Sequence, residues 1–331
     1  MGLRVGVWGV GAWGEKHARV WRALQDAGMD VDLRGVHDRD GARARAVAAQ
    51  HGCAAFESPA ALLREVDAVS VTVPTVAHRE AAVAALAQGC HVLVEKPMAV
   101  TVAEADAMLQ AARSAGRVLQ VGQVERFNPA LAAARARIRR PKFIEAHRLA
   151  VFQPRSLDID VVFDLMIHDV DIVLELTAQI PDSVSAVGVA VLSPSEDIAN
   201  ARLEFPDGCV ANLTASRVSQ ERLRRIRFFQ SDAYVSVDLF ERTGDVVSVS
   251  GPVKAVGPFP VAAALAGIRR ARLEVPDGEP LRLELEAFAR SVRGQGEGAA
   301  SGWAGREALR VAEEVRAAMR RRSLQWAAPR G

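Results

Sequence analysis

The chain has 331 residues, of which 50% are hydrophobic and 25% are charged, and its formal net charge is +2. This length allows two domains with a substantial core, and the composition is ordinary for a globular protein. The small net charge gives no reason to expect nucleic acid or an anionic membrane as a partner. The arginine clusters at 135–140, 222–227 and 320–322 are interpreted as solvated helix faces and strand ends, since no stacking aromatics lie between the arginines.

The cysteines and the apolar runs indicate the compartment. Cys53, Cys90 and Cys209 are far apart, odd in number and without C-x-x-C spacing, so the sequence predicts neither a disulfide framework nor a zinc site. No run approaches the roughly eighteen apolar residues that a membrane helix needs. The apolar N-terminus has no long signal-peptide core. We therefore expect a cytoplasmic protein.

The first predicted strand ends in the glycine-rich turn Gly9-x-Gly11-x-x-Gly14, and a helix is predicted over about 13–27. The first glycine lets the chain turn sharply, the second lets a pyrophosphate approach the backbone, and the third lets helix and strand pack closely. The N–H groups at the start of the helix, around Ala12 and Trp13, are expected to meet the phosphates. This context favours a dinucleotide site over an ordinary glycine-rich turn.

The next predicted strand, 33–38, ends in an acidic residue at the distance that such a site requires. Asp38 can accept both hydroxyls of an adenosine ribose, and its charge would repel a 2′-phosphate. The adjacent Arg39 can stack on adenine or pair with a 2′-phosphate. The sequence thus favours NAD as the cofactor, with NADP as the alternative.

The rest of the first half alternates apolar runs with helices. Strands are predicted at 68–73, 91–94 and 118–121, and helices at 41–50, 76–88 and 102–115. Strands that alternate with helices of about ten to fifteen residues indicate an α/β fold with a doubly wound parallel sheet. We place this dinucleotide-binding Rossmann domain at residues 1–124.

Polar residues follow three of these strands, at the edge where such folds bind ligands. They are Pro74, Thr75 and His78 after the strand 68–73, Glu95, Lys96 and Pro97 after the strand 91–94, and Gln123 to Pro129, with Arg126, after the strand 118–121. A single lysine is most often an ordinary surface residue, but this position favours a functional Lys96. Four histidines without a partner in the sequence are interpreted as ordinary ones: His17, His51, His91 and His147.

From about residue 143 the pattern changes to strands with little helix between them. Strands are predicted at 143–152, 184–192, 199–205, 210–216, 225–230 and 234–239, and helices at 163–178, 283–293 and 305–321. The stretch 251–280 is predicted as loop with a short helix near 262–270. These strands indicate a largely antiparallel sheet. We assign residues 125–331 to this second, α+β domain.

The catalytic signal of the second half is the pair Asp164 and His168, which are four residues apart on the predicted helix and therefore lie on one face. Their neighbours are apolar, so the two must satisfy each other or face a cleft. A histidine tuned by a carboxylate suits proton transfer. The alternative is a pair that braces the helix. No metal is predicted, because ligand spacing beyond this pair is missing.

Together these motifs resemble the glucose–fructose oxidoreductase and inositol dehydrogenase (Gfo/Idh/MocA) family. The resemblance covers nearly the whole chain and depends most on Glu95-Lys96-Pro97 followed by Asp164-x-x-x-His168. It implies a Rossmann domain, an open-faced sheet in the second domain that often mediates dimers or tetramers, and a tightly held nicotinamide cofactor. It also implies that Lys96, Asp164 and His168 surround the substrate hydroxyl. The residues assigned to the cofactor are Gly9, Gly11, Ala12, Trp13, Gly14, Asp38, Arg39, Pro74, Thr75, His78, Glu95, Lys96, Gln123 and Arg126.

Within the family, the chain is similar to members that oxidise C3 of UDP-N-acetylglucosamine in bacterial lipid A synthesis. This similarity depends on 121–129, 164–171 and stretches between 199 and 234, and it departs at Gln123, where that subgroup is expected to have histidine. It implies hydride transfer from a sugar hydroxyl to nicotinamide. The diphosphate of such a substrate is assigned to Arg155 and Arg217.

In this hypothesis His168 is the general base, Asp164 orients its imidazole and Lys96 polarises the oxygen, with Lys96 as the alternative base. Two other functions are considered. One is a dehydrogenase of a free polyol or sugar, of the inositol or glucose type. The other is an NAD(P)-binding regulator without catalysis, which is expected to lack Lys96 or His168.

Overall fold

A computed structural model describes residues 2–153, 159–249, 268–295 and 300–327 of the protein. The chain divides into two compact units. The first contains residues 1–127 and 278–310, and the second contains residues 128–277 and 311–331. Within the described ranges, no helix is both long enough and apolar enough to cross a membrane.

A six-stranded parallel sheet forms the centre of the first unit. Its strands are β1 (Leu3–Trp8), β2 (Val31–His37), β3 (Ala54–Ala55), β4 (Ala68–Val71), β5 (His91–Glu95) and β6 (Leu119–Gly122). They lie in the order β3-β2-β1-β4-β5-β6, and all neighbours are parallel. This order confirms the doubly wound fold and creates a crevice where the winding reverses, beyond the carboxyl ends of β1 and β4.

Helices connect these strands, and their ends follow local sequence signals. They are α1 (Ala12–Asp26), α2 (Gly41–His51), α3 (Pro59–Arg64), α4 (His78–Ala87) and α5 (Val102–Ala115). The side chain of Asp40 accepts hydrogen bonds from two N–H groups at the start of α2, and Thr101 caps α5 in the same way. Both helices end at a glycine with φ of +61°, a conformation that favours glycine.

The first unit also contains a late segment of the chain. Helix α8 (Pro280–Val292) places Leu285 and Phe288, both fully buried, in the same apolar core as Trp21 and Leu24 of α1. The Trp21 and Phe288 rings are 6.5 Å apart between centroids. The boundary predicted at residue 124 did not anticipate that residues 278–310 belong to the first unit.

An eight-stranded sheet forms the centre of the second unit. Its strands are β7 (Phe143–Leu149), β8 (Ser183–Val189), β9 (Ile198–Glu204), β10 (Val210–Ser216), β11 (Leu223–Phe229), β12 (Ala233–Asp238), β13 (Thr243–Val249) and β14 (Ile268–Arg272). They lie in the order β14-β13-β12-β11-β7-β10-β9-β8. All neighbours are antiparallel except β7 and β10, which are parallel. The largely antiparallel sheet is thus confirmed.

Alternate residues of the central strands in this sheet are buried, among them Ile144, Leu213 and Phe228, while the residues between them are partly exposed. The other helices are α6 (Pro129–Arg135), α7 (Ile167–Thr177) and α9 (Gly302–Ala327). Residues 268–270, which were predicted as part of a short helix, belong instead to strand β14, where they pair with β13. The remainder of that predicted helix, 262–267, lies outside the described residues.

Candidate active site

The glycine-rich turn connects β1 to α1, and each of its glycines is required for a different reason. Gly9 has φ of +93°, and a Cβ there would lie 2.8 Å from the backbone N of Val73. A Cβ on Gly14 would collide with the carbonyl oxygen of Gly9. A Cβ on Gly11 would have no atom within 4 Å. The open space at Gly11 is therefore the place where a ligand can approach the backbone.

The start of α1 suits a phosphate. Its N-cap is Gly11, and no side chain caps the first N–H groups, which include those of Ala12 and Trp13. Uncapped N–H groups and the positive end of the helix dipole bind anions. Trp13 is exposed, with the ammonium of Lys16 4.6 Å from the centroid of its ring.

Asp38 follows β2 and lies beside this turn. Its carboxylate accepts hydrogen bonds from the N–H of Val10 at 2.7 Å and from the N–H of Asp40 at 2.9 Å. Asp38 is buried, whereas Arg39 is exposed. The guanidinium of Arg43 lies 3.7 Å from the Asp38 carboxylate. The position and charge of Asp38 fit the ribose of a nicotinamide dinucleotide.

The residues after β4 differ in their exposure to solvent. Pro74 is exposed and Thr75 partly buried, at the beginning of a short 3-10 turn. His78 is only 1% exposed, with Nδ1 2.9 Å from the carbonyl oxygen of Pro97 and Nε2 2.8 Å from that of Val73. Burial lowers the pKa of His78, although both carbonyls act to raise it. His78 thus holds two backbone segments together, which favours a positioning role over the cofactor contact expected from the sequence.

Glu95 and Lys96 stand at the carboxyl end of β5, with a cis peptide bond between Lys96 and Pro97. The Glu95 carboxylate is 2.9 Å from Nε2 of His17 on α1 and accepts a hydrogen bond from the N–H of Lys96 at 3.2 Å. It also occupies the space above Gly122, where a Cβ would lie 2.7 Å from Oε1 of Glu95. His17 is therefore part of this site, although it has no partner in the sequence and was interpreted as an ordinary histidine.

Gln123 and Arg126 follow β6, the strand next to β5, so they lie at the same sheet edge as Lys96. Both are buried, at 2% and 9% exposure. The N–H of Arg126 donates to the carbonyl of Gln123 at 3.0 Å. Of the residues assigned to the cofactor, those after β1, β2, β4, β5 and β6 thus all stand at one edge of the first unit's sheet.

Asp164 and His168 lie in the second unit. Residues Val162–Met166 form a π-helical turn that leads into α7, a rare geometry that often marks functional sites. Asp160 begins this turn by accepting hydrogen bonds from the N–H groups of Val162 and Phe163. Asp164 and His168 are partly exposed, whereas the residues between them are mostly buried. This burial pattern places the two on the open side of the helix.

Two buried arginine–aspartate pairs stand close to this helix. Arg148 donates to Asp169 through Nε at 2.9 Å and Nη2 at 2.8 Å. Arg217, only 4% exposed, donates to Asp197 at 2.9 Å, to the carbonyl of Ile159 at 2.8 Å and to two serine hydroxyls. Burial acts to raise the pKa of Asp197, but hydrogen bonds from Ser193, Leu192 and Arg217 hold it well below its usual range.

These contacts reassign Arg217, which was expected to bind the substrate. Its guanidinium is committed to Asp197 and to the backbone, so Arg217 is an anchor of the second unit. Arg155, the other residue assigned to the diphosphate, lies outside the described residues. No group of three or more metal-ligating side chains occurs in the part of the chain that the structure describes.

The chain matches known proteins over nearly its whole length. Residues 3–123 match an oxidoreductase family with an NAD-binding Rossmann fold, and residues 130–236 match the GFO/IDH/MocA C-terminal domain. The UDP-N-acetylglucosamine 3-dehydrogenase of Acidithiobacillus ferrooxidans is 40% identical over 318 residues, which cover 96% of this chain and 97% of that protein. A solved structure of this enzyme from the same organism has a TM-score of 0.87 at 39% identity and covers 96% of this chain and 98% of the solved one.

More distant relatives act on free sugars and polyols. The scyllo-inositol 2-dehydrogenase (NAD(+)) of Bacillus subtilis is 29% identical over 235 residues, which cover 66% of this chain and 68% of that protein. Levoglucosan dehydrogenase, solved with NADH and levoglucosan, has a TM-score of 0.84 at 18% identity, covers 97% of this chain and 98% of that one, and shows the common fold alone. The two matched domains and the 40% identity over most of the sequence establish that this chain belongs to the Gfo/Idh/MocA family of oxidoreductases.

Proposed function

We propose that the protein is an NAD-dependent dehydrogenase that oxidises the C3 hydroxyl of UDP-N-acetylglucosamine. The main support is the 40% identity to an enzyme of that activity over 96% of this chain and 97% of the relative. The inositol dehydrogenase of Bacillus subtilis matches a smaller part of the chain at lower identity. A nucleotide-linked sugar is therefore favoured over a free polyol.

The first unit offers the residues that would hold NAD. The open space at Gly11 and the uncapped start of α1 fit a pyrophosphate. The fixed carboxylate of Asp38 fits a ribose with two free hydroxyls and would repel a 2′-phosphate. When bound, the nicotinamide supplies the acceptor for the hydride. NADP remains the alternative because Arg39 and Arg43 are exposed cations next to Asp38.

Side chains of the protein would remove the proton of the sugar hydroxyl. In the proposal His168 accepts the proton of the sugar hydroxyl, since imidazole titrates near neutral pH. Asp164 orients the imidazole, and Lys96 donates a hydrogen bond to the sugar oxygen. The His17–Glu95 contact would hold the backbone of Lys96 in place. The alternative assignment, with Lys96 as the base, uses the same residues.

We further propose a cytoplasmic homo-oligomer that supplies a diamino sugar for lipid A. The three free cysteines support a reducing compartment. The partly exposed face of the second unit's sheet carries the aromatic rings of Phe143, Phe229 and Tyr234, with centroids 4.9 to 5.5 Å apart. Aromatic clusters of this kind are typical of protein interfaces, so this face is the proposed contact between subunits.

The proposal is tested by the absorbance of NADH at 340 nm. The purified protein is mixed with NAD or NADP and with UDP-N-acetylglucosamine, myo-inositol or glucose. A 3-aminotransferase is added to consume the 3-keto product, so that the oxidation proceeds. We expect an increase with NAD and the nucleotide sugar only. Turnover of a free polyol alone would overturn the proposed substrate, and bound cofactor without any turnover would favour a regulator.

The Lys96→Met variant tests the catalytic assignment in the same assay. We expect kcat to fall by about 10²- to 10⁴-fold, the usual contribution of a group that assists proton transfer. The Kd for NADH, measured by fluorescence titration, should change much less than kcat. Lys142→Met, at an exposed position of the second unit, is the matched control. Unchanged turnover in Lys96→Met would contradict both assignments of the base.

A further inference from the structure

The π-helical turn Val162–Met166 carries Asp164 and leads into α7, which carries His168. Because π-helical turns are rare in proteins, contacts from neighbouring elements must stabilise this one. Its residues Phe163 and Met166 are buried. The position of Asp164 therefore depends on how this turn is packed.

Arg316 of α9 contacts this turn through its guanidinium. The guanidinium carbon lies over the ring of Phe163, 4.5 Å from the centroid. A cation this close to the face of an aromatic ring is attracted to it, and more strongly where the pair is shielded from water. Phe163 is buried and Arg316 is partly buried. The Arg316 side chain therefore stabilises the position of the ring.

Helix α9 is packed against the second unit's sheet at the same level. Val315 and Met319, which flank Arg316 on this helix, are fully buried. A Cβ on Gly188 of β8 would lie 2.5 Å from Sδ of Met319, so the helix approaches the strand closely. The backbone that carries Arg316 is therefore held in place by packing.

Arg316 also acts on Asp160, the buried residue that begins the turn. The Asp160 carboxylate accepts a hydrogen bond from the N–H of Phe163 at 3.2 Å, and its backbone carbonyl accepts one from the N–H of Asp164 at 3.1 Å. Burial raises the pKa of Asp160 and Glu196 adds to this, whereas the N–H of Phe163 and the charge of Arg316 act to lower it. Arg316 thereby favours the ionised carboxylate, which makes the stronger hydrogen bond to an N–H group.

We propose that Arg316 is a positioning residue, which holds the Phe163 ring and the Asp160 carboxylate and so fixes the orientation of Asp164. The inference rests on the proposed function, in which Asp164 orients the imidazole of His168. Phe163 directly precedes Asp164, so a shift of the Phe163 ring would also move the backbone of Asp164. In the proposal Arg316 acts through these residues and not on the substrate.

The test compares Arg316→Met with Arg316→Lys in the 340 nm assay, at a temperature where thermal unfolding shows both variants to be folded. We expect Arg316→Met to lower kcat for UDP-N-acetylglucosamine about tenfold, since a misplacement of about 1 Å can cost about 10²-fold. The KM should stay within about twofold, as expected for a loss confined to the transition state. Arg316→Lys keeps a cation at the ring and should keep at least about a third of the unaltered kcat. Arg320→Met, the same substitution one turn later at an exposed position of α9, is the control and should leave kcat unchanged.

The variant Phe163→Leu tests whether Arg316 acts through the ring, because it removes the ring and keeps the position apolar. In this background Arg316→Met should lower kcat by at most about threefold, since substitutions of residues in contact are not additive. Equal factors in the two backgrounds would overturn the route through Phe163.

The remaining outcomes separate this inference from the proposed function. If the unaltered protein oxidises UDP-N-acetylglucosamine and Arg316→Met keeps its kcat, the role of Arg316 fails while the proposed function stands, even where the melting temperature falls. An equal loss of kcat in Arg320→Met would also overturn that role. If the unaltered protein oxidises only a free polyol, the proposed substrate fails, and the same kcat ratios with that polyol decide the role of Arg316. No turnover of any substrate would overturn both.

Discussion

The contact between His17 and Glu95 shows how much a single buried residue contributes to the candidate site. His17 is fully buried, and its Nε2 lies 2.9 Å from the carboxylate that also receives the N–H of Lys96. The same carboxylate occupies the space that a side chain at position 122 would need. One imidazole on α1 thereby fixes the strand end from which Lys96 projects.

We predict that His17→Phe lowers both stability and activity. The substitution leaves the buried Glu95 carboxylate without this partner, which costs about 1–3 kcal/mol. Displacement of Lys96 should lower kcat/KM by up to about 100-fold. Urea unfolding and the 340 nm assay measure the two effects.

His17→Gln is the matched variant, since its amide N–H can still donate to Glu95. We expect His17→Gln to be more active than His17→Phe and to have a stability close to that of the unaltered protein. Equal activity in His17→Phe and the unaltered protein would show that the contact has no role in the site.

At the scale of elements, the turn between β1 and α1 contains one glycine that the fold requires and another that a ligand would require. A side chain at Gly14 would collide with the chain itself, whereas one at Gly11 would enter open space. Gly11 also has φ of −65° and ψ of −170°, which any residue can adopt. We therefore expect a glycine-to-alanine substitution to have different effects at positions 11 and 14.

We predict that Gly11→Ala leaves the melting temperature unchanged or slightly higher, because alanine lowers the entropy of the unfolded chain. Its methyl group occupies the space for the pyrophosphate, so the Kd for NADH should rise at least about tenfold. Gly14→Ala should instead lower the free energy of unfolding by about 1–3 kcal/mol through overpacking. Thermal unfolding and NADH fluorescence distinguish the two, and normal NADH binding by Gly11→Ala would contradict the cofactor assignment.

The elements that the sequence predicts correctly have a strong local signal. The glycine turn has a fixed spacing of its three glycines, and the helices and the strands of the second sheet have a regular apolar period. Strand β14 has none, since all five of its residues are exposed. The parallel pairing of β7 with β10 and the contact of His17 with Glu95 join residues distant in sequence. Arg217 shows the same limit, because the sequence shows its charge but not the buried Asp197 that pairs with it in the folded protein.

At the scale of the whole molecule, the first unit contains residues 278–310, which follow residues 128–277 of the second unit in the chain. Phe288 and Leu285 of α8 pack with Trp21 of α1, more than two hundred and fifty positions earlier in the chain. An amphipathic helix near the end of a sequence does not indicate which core it joins. The sequence therefore does not show that residues 278–310 return to the first unit.

We predict that Phe288→Ala destabilises the first unit by about 3–5 kcal/mol, the usual cost of a large cavity in a core. Binding of NADH should weaken or disappear at temperatures where the unaltered protein still binds. Phe288→Leu, which leaves a smaller cavity, should show an intermediate effect. Unfolding is followed by tryptophan fluorescence, to which Trp21 contributes as one of five tryptophans. An unchanged transition in Phe288→Ala would show that α8 adds nothing to this core.

The carboxylate of Asp38 has a consequence for the evolution of the cofactor preference. The Asp38 carboxylate, which would repel a 2′-phosphate, also accepts hydrogen bonds from the N–H groups of Val10 and Asp40. These hydrogen bonds support the conformation of the phosphate-binding turn. A mutation that removes the acid to admit NADP would also remove this support. A lineage that changes its cofactor must therefore acquire a substitute acceptor at the same position, such as serine or asparagine, which narrows the mutational routes open to it.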